Sequence, residues 1–366
     1  MEENTGHRPS LRVNEGIEQP DQVNREAIDR MKSLHQGMLP ASAYTEGILK
    51  GDMVMLSKAI TLVESALKQH QDVAQEIISA CLPYAGKAVR LGITGVPGAG
   101  KSTFIEALGM FLINQGKRVA VLAIDPSSQR SKGSILGDKT RMEQLANQAA
   151  AYIRPSASAG TLGGVARKTR ETIVLCEAAG FDTVIVETVG VGQSETAVHS
   201  MVDFFLLLMI SGAGDELQGI KRGIMEMADG IAINKADGDN LIRAAKARSE
   251  CEMALHLFPQ PASGVSPVVT TCSALTNTNI DGVWKMVTDF ITETERNGYL
   301  AKKRLSQAVQ VMYDYIDIQL KAHFFADRNV TDSLPALEQL ITENRISAYQ
   351  AAAGLLEKYF GKQEEK

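Results

Sequence analysis

Between residues 89 and 290 the chain alternates short apolar runs with longer stretches whose apolar side chains recur every three or four positions. The runs are Leu91–Thr94, Val119–Ile124, Thr183–Val186, Phe204–Ile210, Gly230–Ile233 and Pro267–Cys272. Each has the length and the aliphatic content of a strand buried on both faces. Strands separated by helices are the pattern of βαβ units, which predicts an α/β fold: a mainly parallel sheet with helices on both faces. Outside this region the period is helical. Ile28, Met31 and Leu34 share a face, and Leu56, Ile60, Val63 and Leu67 repeat at helical steps, so residues 23–88 are predicted as an N-terminal helical segment that Gly86 ends. After residue 290, Leu305, Val309, Met312, Ile316 and Leu320 form one apolar stripe. Leu337, Leu340 and Ile341 begin a second, and Leu355, Leu356 and Tyr359 a third. Such stripes usually pack within the chain. Here the helices of 291–366 trail off a sheet domain that is already complete, which favours an interchain role. Residues 1–22 are polar, contain Pro9 and Pro20, and are predicted to be disordered.

Composition narrows the class. The 366 residues are 44% hydrophobic and 22% charged, a globular profile with ample core. The longest strongly apolar run, Phe204 to Ile210, is too short to span a bilayer. A net charge of −5 argues against a nucleic-acid footprint. The start, Met1-Glu2-Glu3-Asn4, lacks the apolar core of a signal peptide, and the expected location is cytoplasmic. Cys81, Cys176, Cys251 and Cys272 are far apart and read as buried or isolated thiols, not as disulfides or a zinc site.

The chemistry begins at Gly95-Val96-Pro97-Gly98-Ala99-Gly100-Lys101-Ser102, a complete phosphate-binding loop between a predicted strand and the predicted helix of Thr103-Phe104-Ile105. Its glycines let backbone N–H groups curl around an anion. Lys101, expected to be exposed in the loop, reaches the β- and γ-phosphates, and the Ser102 hydroxyl is a Mg²⁺ ligand. The fold class is therefore a P-loop NTPase. Asp125 ends the Val119–Ile124 strand and Asp138 follows in a Ser/Gly-rich stretch; a carboxylate here suits Mg²⁺, and each also reads as a cap or a surface acid. Glu187-Thr188-Val189-Gly190 stands where many GTPases carry Asp-x-x-Gly, with Glu187 at the metal or its water and the Gly190 N–H at the γ-phosphate. Val191 occupies the place where Ras-like enzymes put a water-orienting Gln, so intrinsic hydrolysis is expected to be slow.

Asn234-Lys235-Ala236-Asp237 ends the next strand. The Asp237 carboxylate can accept the guanine N1–H and amine, a donor pair that adenine lacks. Asn234 bonds the base or braces the loop, and the Lys235 stem lies on the ring. Ser273-Ala274-Leu275 matches the loop that offers a backbone N–H to guanine O6. Together these motifs select GTP/GDP over ATP. Gly212-Ala213-Gly214-Asp215-Glu216 reads as a mobile loop at the same sheet edge.

Longer strings are more specific than these boxes. Asp125-Pro126-Ser127-Ser128, Gly133-Ser134-Ile135-Leu136-Gly137-Asp138-Lys139-Thr140-Arg141-Met142, Gly160-Thr161-Leu162-Gly163-Gly164, Glu187-Thr188-Val189-Gly190-Val191-Gly192-Gln193-Ser194-Glu195 and Gly214-Asp215-Glu216-Leu217-Gln218-Gly219-Ile220-Lys221 occur in order. Over about residues 50 to 320 the chain resembles the methylmalonyl-CoA mutase-associated GTPase chaperones, the MeaB and MMAA group also called ArgK or LAO/AO transport ATPase. The resemblance implies Asp125, Asp138 and Glu187 near Mg²⁺ and the γ-phosphate. It implies switch loops around 127–142 and 189–200, and a further loop around 212–221, with Asp215 and Lys221, that contacts the partner mutase. It also implies a homodimer built by the C-terminal arm, and a role in gating adenosylcobalamin loading into the mutase and in protecting it. A metal-insertion GTPase of the hydrogenase or urease type, or an ATP-dependent kinase linked to basic amino-acid transport, are the competing classes. No His-rich metal tract supports the first, and Asn-Lys-x-Asp argues against the second.

Overall fold

The computed structural model describes residues 38–124, 141–155, 162–188, 194–211 and 222–361. In chain order the elements are α1 (Ala41–Leu49), α2 (Met53–Glu64), α3 (Lys68–Cys81), β1 (Val89–Gly95), α4 (Lys101–Asn114), β2 (Val119–Ile124), α5 (Glu143–Ala146), β3 (Ala151–Pro155), α6 (Leu162–Ala178) and β4 (Thr183–Thr188). They continue with α7 (Ser194–His199), β5 (Phe204–Ile210), α8 (Arg222–Met227), β6 (Gly230–Asn234), α9 (Leu241–Leu255), β7 (Val268–Thr271), α10 (Ile280–Arg296), α11 (Tyr299–Ala326), α12 (Arg328–Thr342) and α13 (Ala348–Phe360). All lie in the unit Ala41–Lys366. Of the predicted N-terminal helical segment, Ile28, Met31 and Leu34 lie outside the described residues, as does the predicted tail of residues 1–22.

The strands form one sheet in the order β3-β2-β4-β1-β5-β6-β7, and every neighbouring pair is parallel. Chain order reverses around β1, which pairs with β4 on one side and β5 on the other. In an open α/β sheet that reversal leaves a crevice at the carboxyl ends of the strands. The seventh strand, β3, corrects the six predicted from apolar runs. It is a half-buried edge strand paired only to β2, interrupted by Arg154 and closed by Pro155, so it has no continuous apolar signature.

Alternation along β5 explains how one apolar run serves two layers. Phe204, Leu206 and Leu208 join Phe104, Leu108, Val283 and Phe290 of α4 and α10 on one face. Leu207 and Met209 join Ala244, Ala247 and Cys251 of α9 on the other. Helices α1–α3 cover a further part of the second layer through α6. There Lys168 donates to the Glu64 carbonyl at 2.6 Å, and Arg154 of β3 pairs with the Glu64 carboxylate.

The start of α11 is tied to the amino ends of the strands. Arg304 donates to both carboxylate oxygens of buried Asp203 and to the carbonyls of Gly86 and Ala88. Lys303 donates to the Asp203 carbonyl at 2.8 Å, and Gln307 to that of Val202 at 2.9 Å. Further along, Arg170 pairs with Asp314 at 3.0 Å. Beyond this anchor the first predicted stripe is not packed inside the chain: Leu305, Val309, Met312, Ile316 and Leu320 are all exposed. The second and third stripes are partly covered where α12 and α13 fold back on α11. Tyr359 stacks edge-on to Phe324 at 5.1 Å, and its hydroxyl meets His323 Nδ1 at 2.6 Å.

His199 ends α7 against Phe205, ring centroids 5.5 Å apart. Burial, aided by the Lys303 charge, pushes its imidazole down to about 4. The unfolded chain therefore takes up a proton near pH 6.5 that the folded chain refuses until about pH 4. This contribution is complete above pH 6.5 and is lost as pH falls toward 4. Urea unfolding at pH 7.5 and 4.5 should show about 2.5 kcal/mol less of this loss in His199→Gln than in wild type. Equal losses in the two proteins would remove His199 as the source.

Candidate nucleotide site

The loop after β1 is shaped by two glycines. A Cβ at Gly95 would lie 2.1 Å from the Leu208 carbonyl oxygen, so only glycine lets β1 run this close to β5 at the start of the loop. Gly100 has φ +84°, and a Cβ there would come 2.9 Å from Asn234 Nδ2. Gly100 caps α4, whose N-terminal N–H groups face the crevice.

Lys101 opens α4 and is buried, not exposed as the sequence suggested. It is the first residue of a helix whose side chain folds back under the loop. Its ammonium donates to the Gly95 carbonyl at 2.8 Å and the Val96 carbonyl at 3.4 Å. Burial pulls its pKa below the ordinary lysine value, while the charges of Glu187 and Glu195 oppose that shift. Glu187, buried near the end of β4, accepts from the Ser102 hydroxyl at 3.5 Å. Pro97, Gly98, Gly100, Lys101, Ser102, Thr103 and Glu187 all line one open cleft of about 440 Å³. Ala99 is buried behind it. Asp125, Asp138 and Gly190 lie outside the described residues, as do Val191, Asp215 and Lys221.

The second half of the site follows β6 and β7. Asn234 is buried; its Nδ2 donates to the Ala99 carbonyl at 2.8 Å and its Oδ1 accepts from the Ala274 N–H at 3.1 Å. Of the two roles open to it, the structure shows the brace: one amide joins the phosphate loop to the loop after β7. The Ser273 hydroxyl donates to the Asp237 carboxylate and fixes its direction. Lys235 adopts φ +59°, and its carbonyl accepts from Asn240 Nδ2 at 2.6 Å. Leu275 is exposed beside this loop.

Four features were not foreseen. Arg141 lines the cleft from the far wall. The buried hydroxyls of Thr188 and Thr94 bond at 2.9 Å across β4 and β1. Glu195 is buried near Lys101. A larger cavity, about 710 Å³, opens at the opposite end of the sheet between α8, α9 and the start of α11. Among the described residues its lining includes Glu226, Asp229 and Glu252 and no lysine or arginine. Arg141 stands in one of the long strings noted above, which is the one signal that pointed to it.

A parallel sheet with this loop at its switch point, an Asn-Lys-x-Asp segment after β6 and a Ser-Ala loop after β7 define a P-loop GTPase. Residues 56–329 match the family described as Methylmalonyl Co-A mutase-associated GTPase MeaB. GTPase ArgK of Escherichia coli is 48% identical over 85% of this chain and 95% of its own length. The mouse protein named Methylmalonic aciduria type A homolog, mitochondrial, is 43% identical over 86% of this chain and 78% of its own. A solved structure of LAO/AO transport system kinase superposes with a TM-score of 0.70 at 39% identity, covering 88% of this chain and 99% of that one. The chain belongs to the MeaB family of methylmalonyl-CoA mutase-associated GTPases, and that membership implies guanine-nucleotide binding.

Asn234→Ala should cost about 2–3 kcal/mol, because it strands the buried Ala99 carbonyl and Ala274 N–H together. Urea unfolding measures this directly. A loss below about 0.5 kcal/mol would mean that the brace is energetically idle.

Proposed function

We propose that this protein is a Mg²⁺-dependent GTP/GDP switch that acts as a chaperone for an adenosylcobalamin-dependent acyl-CoA mutase, methylmalonyl-CoA mutase first among them. It gates loading of the cofactor and protects the mutase from inactivation. The observation that carries the nucleotide half is the Asn234 amide, which ties the phosphate loop to the base loops. The family description supports the mutase half.

In this reading the N–H groups of the Gly95–Gly100 loop cradle the phosphates. Lys101 leaves its carbonyl partners for the β- and γ-phosphates, and Thr103 supports the loop from α4. Asp237, aimed by Ser273, accepts the guanine N1–H and amine; Ala274 and Leu275 face O6, and the Lys235 stem covers the ring. The Ser102 hydroxyl and Glu187 carboxylate, 3.5 Å apart at the cleft, are hard oxygen donors of the kind Mg²⁺ takes, with Asp125 and Asp138 as further acids from the neighbouring segment. These residues would hold Mg²⁺, which would supply charge neutralisation at the phosphates. Residues 89–290 act as the GTPase domain between the helical segment 23–88 and the arm 291–366. The exposed stripe on α11 supports a homodimer through that arm. Among the described residues no helix is long and apolar enough to cross a membrane. The location proposed for the protein is the cytoplasm, on the sequence reading of its first residues.

Calorimetry with GTP and ATP tests the base. Wild type should prefer GTP, and Asp237→Asn should weaken GTP by at least ~2 kcal/mol while gaining xanthosine triphosphate. Equal affinity for ATP would sink the guanine assignment. Single-turnover hydrolysis tests the partner. The chain alone should be slow, well below the ~1–100 s⁻¹ of kinases. Lys101→Ala should abolish turnover, and purified methylmalonyl-CoA mutase should accelerate the wild type. Asp215→Ala or Lys221→Ala should reduce that acceleration and spare the basal rate. No acceleration by the mutase would leave a GTPase with another client.

A further inference from the structure

Glu106 is a half-buried carboxylate of α4 that none of the nucleotide motifs names. It stands four residues after Ser102 and three before Gly109, so the three share one face of the helix. The short helix α5 lies on that face. Its N-cap residue is Met142, whose side chain does not cap it. The first-turn N–H groups turn to Glu106 instead: one carboxylate oxygen accepts from Gln144 N–H at 2.7 Å and from Leu145 N–H at 3.4 Å. These are the donors that an N-cap side chain ordinarily takes. The packing beneath is equally close. Met142 and Leu145 are buried, and a Cβ at Gly109 would come 2.7 Å from Leu145 Cδ2. Arg141 immediately precedes this clamped turn and lines the cleft with Lys101, Ser102 and Glu187. Among the described residues Lys101 and Arg141 are the two cations of that lining.

We propose that Glu106 is a positioning residue for GTP hydrolysis: by capping α5 from the helix that carries the phosphate loop, it holds Arg141 in the wall of the cleft, where the guanidinium meets the phosphates of a bound nucleotide. This inference rests on the nucleotide reading above. Helix α4 begins at the loop itself, so a turn fixed to α4 is fixed to the phosphate site. Arg141 is joined to Met142, and its backbone follows the capped turn. Without the carboxylate, two N–H groups at the start of a four-residue helix lose their acceptor. Buried Met142 and Leu145 still keep α5 on α4, but its first turn is free to change direction. A side chain as long as arginine turns a small rotation of its backbone into a larger displacement of its charge. A cation that stabilises developing charge must be in place beforehand, and a misplacement of about 1 Å costs up to ~10²-fold in rate.

The test is single-turnover GTP hydrolysis at saturating Mg²⁺ in wild type, Glu106→Ala, Glu106→Gln, Arg141→Ala and the double variant of Glu106→Ala with Arg141→Ala. Glu106→Ala should slow hydrolysis by at least about tenfold. Glu106→Gln keeps an acceptor oxygen at the same reach and should return the rate to within about threefold of wild type. The double variant should be no slower than Arg141→Ala alone, because Glu106 acts through that arginine. Glu106→Asp, whose carboxylate is one methylene short, should lose rate as the alanine variant does. It takes the place of Glu106→Ala, singly and in the double variant, if that protein does not fold. A merely structural Glu106 gives losses that multiply in the double variant, and that result overturns the proposal. So does an unchanged rate in Glu106→Ala or in Arg141→Ala. A wild type that binds no GTP overturns the nucleotide reading itself.

Discussion

One buried amide holds the site together. Asn234 ends β6 at the sheet's carboxyl edge, donates to the phosphate loop and accepts from the loop after β7. Both groups it satisfies are backbone, so the bond fixes the path of two loops, not the rotamers of two side chains. An unmet donor or acceptor in that place would carry a full desolvation cost, which makes the arrangement close to all-or-none. The short approach of Gly95 to Leu208 and the left-handed turn at Gly100 follow the same geometry, because each brings main chain where a side chain would otherwise stand. The phosphate end and the base end of the cleft are thus one rigid part, although they come from distant stretches of sequence.

The opposite end of the sheet is organised by charge. Arg304 closes over Asp203 and two strand-entry carbonyls, and thereby plants a 28-residue helix on the domain. Asp203 is fully buried, so the pair is held by satisfied hydrogen bonds more than by Coulomb attraction in water. The anchor and the exposed stripe of Leu305, Val309 and Met312 belong to the same helix within a few turns. A helix fixed at its root and apolar along its length presents that face with little entropy left to lose.

What could be read from the sequence was what depends on local pattern. The strands buried on both faces show as continuous apolar runs, and the phosphate and base loops show as fixed spacings, because glycine geometry and ligand chemistry constrain neighbouring positions. β3 escaped because an edge strand needs only one apolar face, and Arg154 and Pro155 dilute even that. The burial of Lys101 escaped because it depends on the loop folding back over its own lysine, which spacing does not encode. The stripe on α11 was visible, but only the fold showed that α12 and α13 leave it uncovered. Glu195 was present in a noted string, but its burial depends on how α7 packs, which spacing does not encode.

The four cysteines have a consequence of another kind. All are free and buried. Burial pushes every thiol up, to about 11 for Cys251 and about 12 for Cys272. A thiol reagent reacts with thiolate, so the folded chain is close to inert toward alkylation and oxidation. Cys272 is the thiol nearest the cleft, its sulfur 3.8 Å from the Asn234 oxygen. A reagent would reach this sulfur only when the packing around Asn234 opens, so its modification rate would report that opening without any label being engineered into the chain.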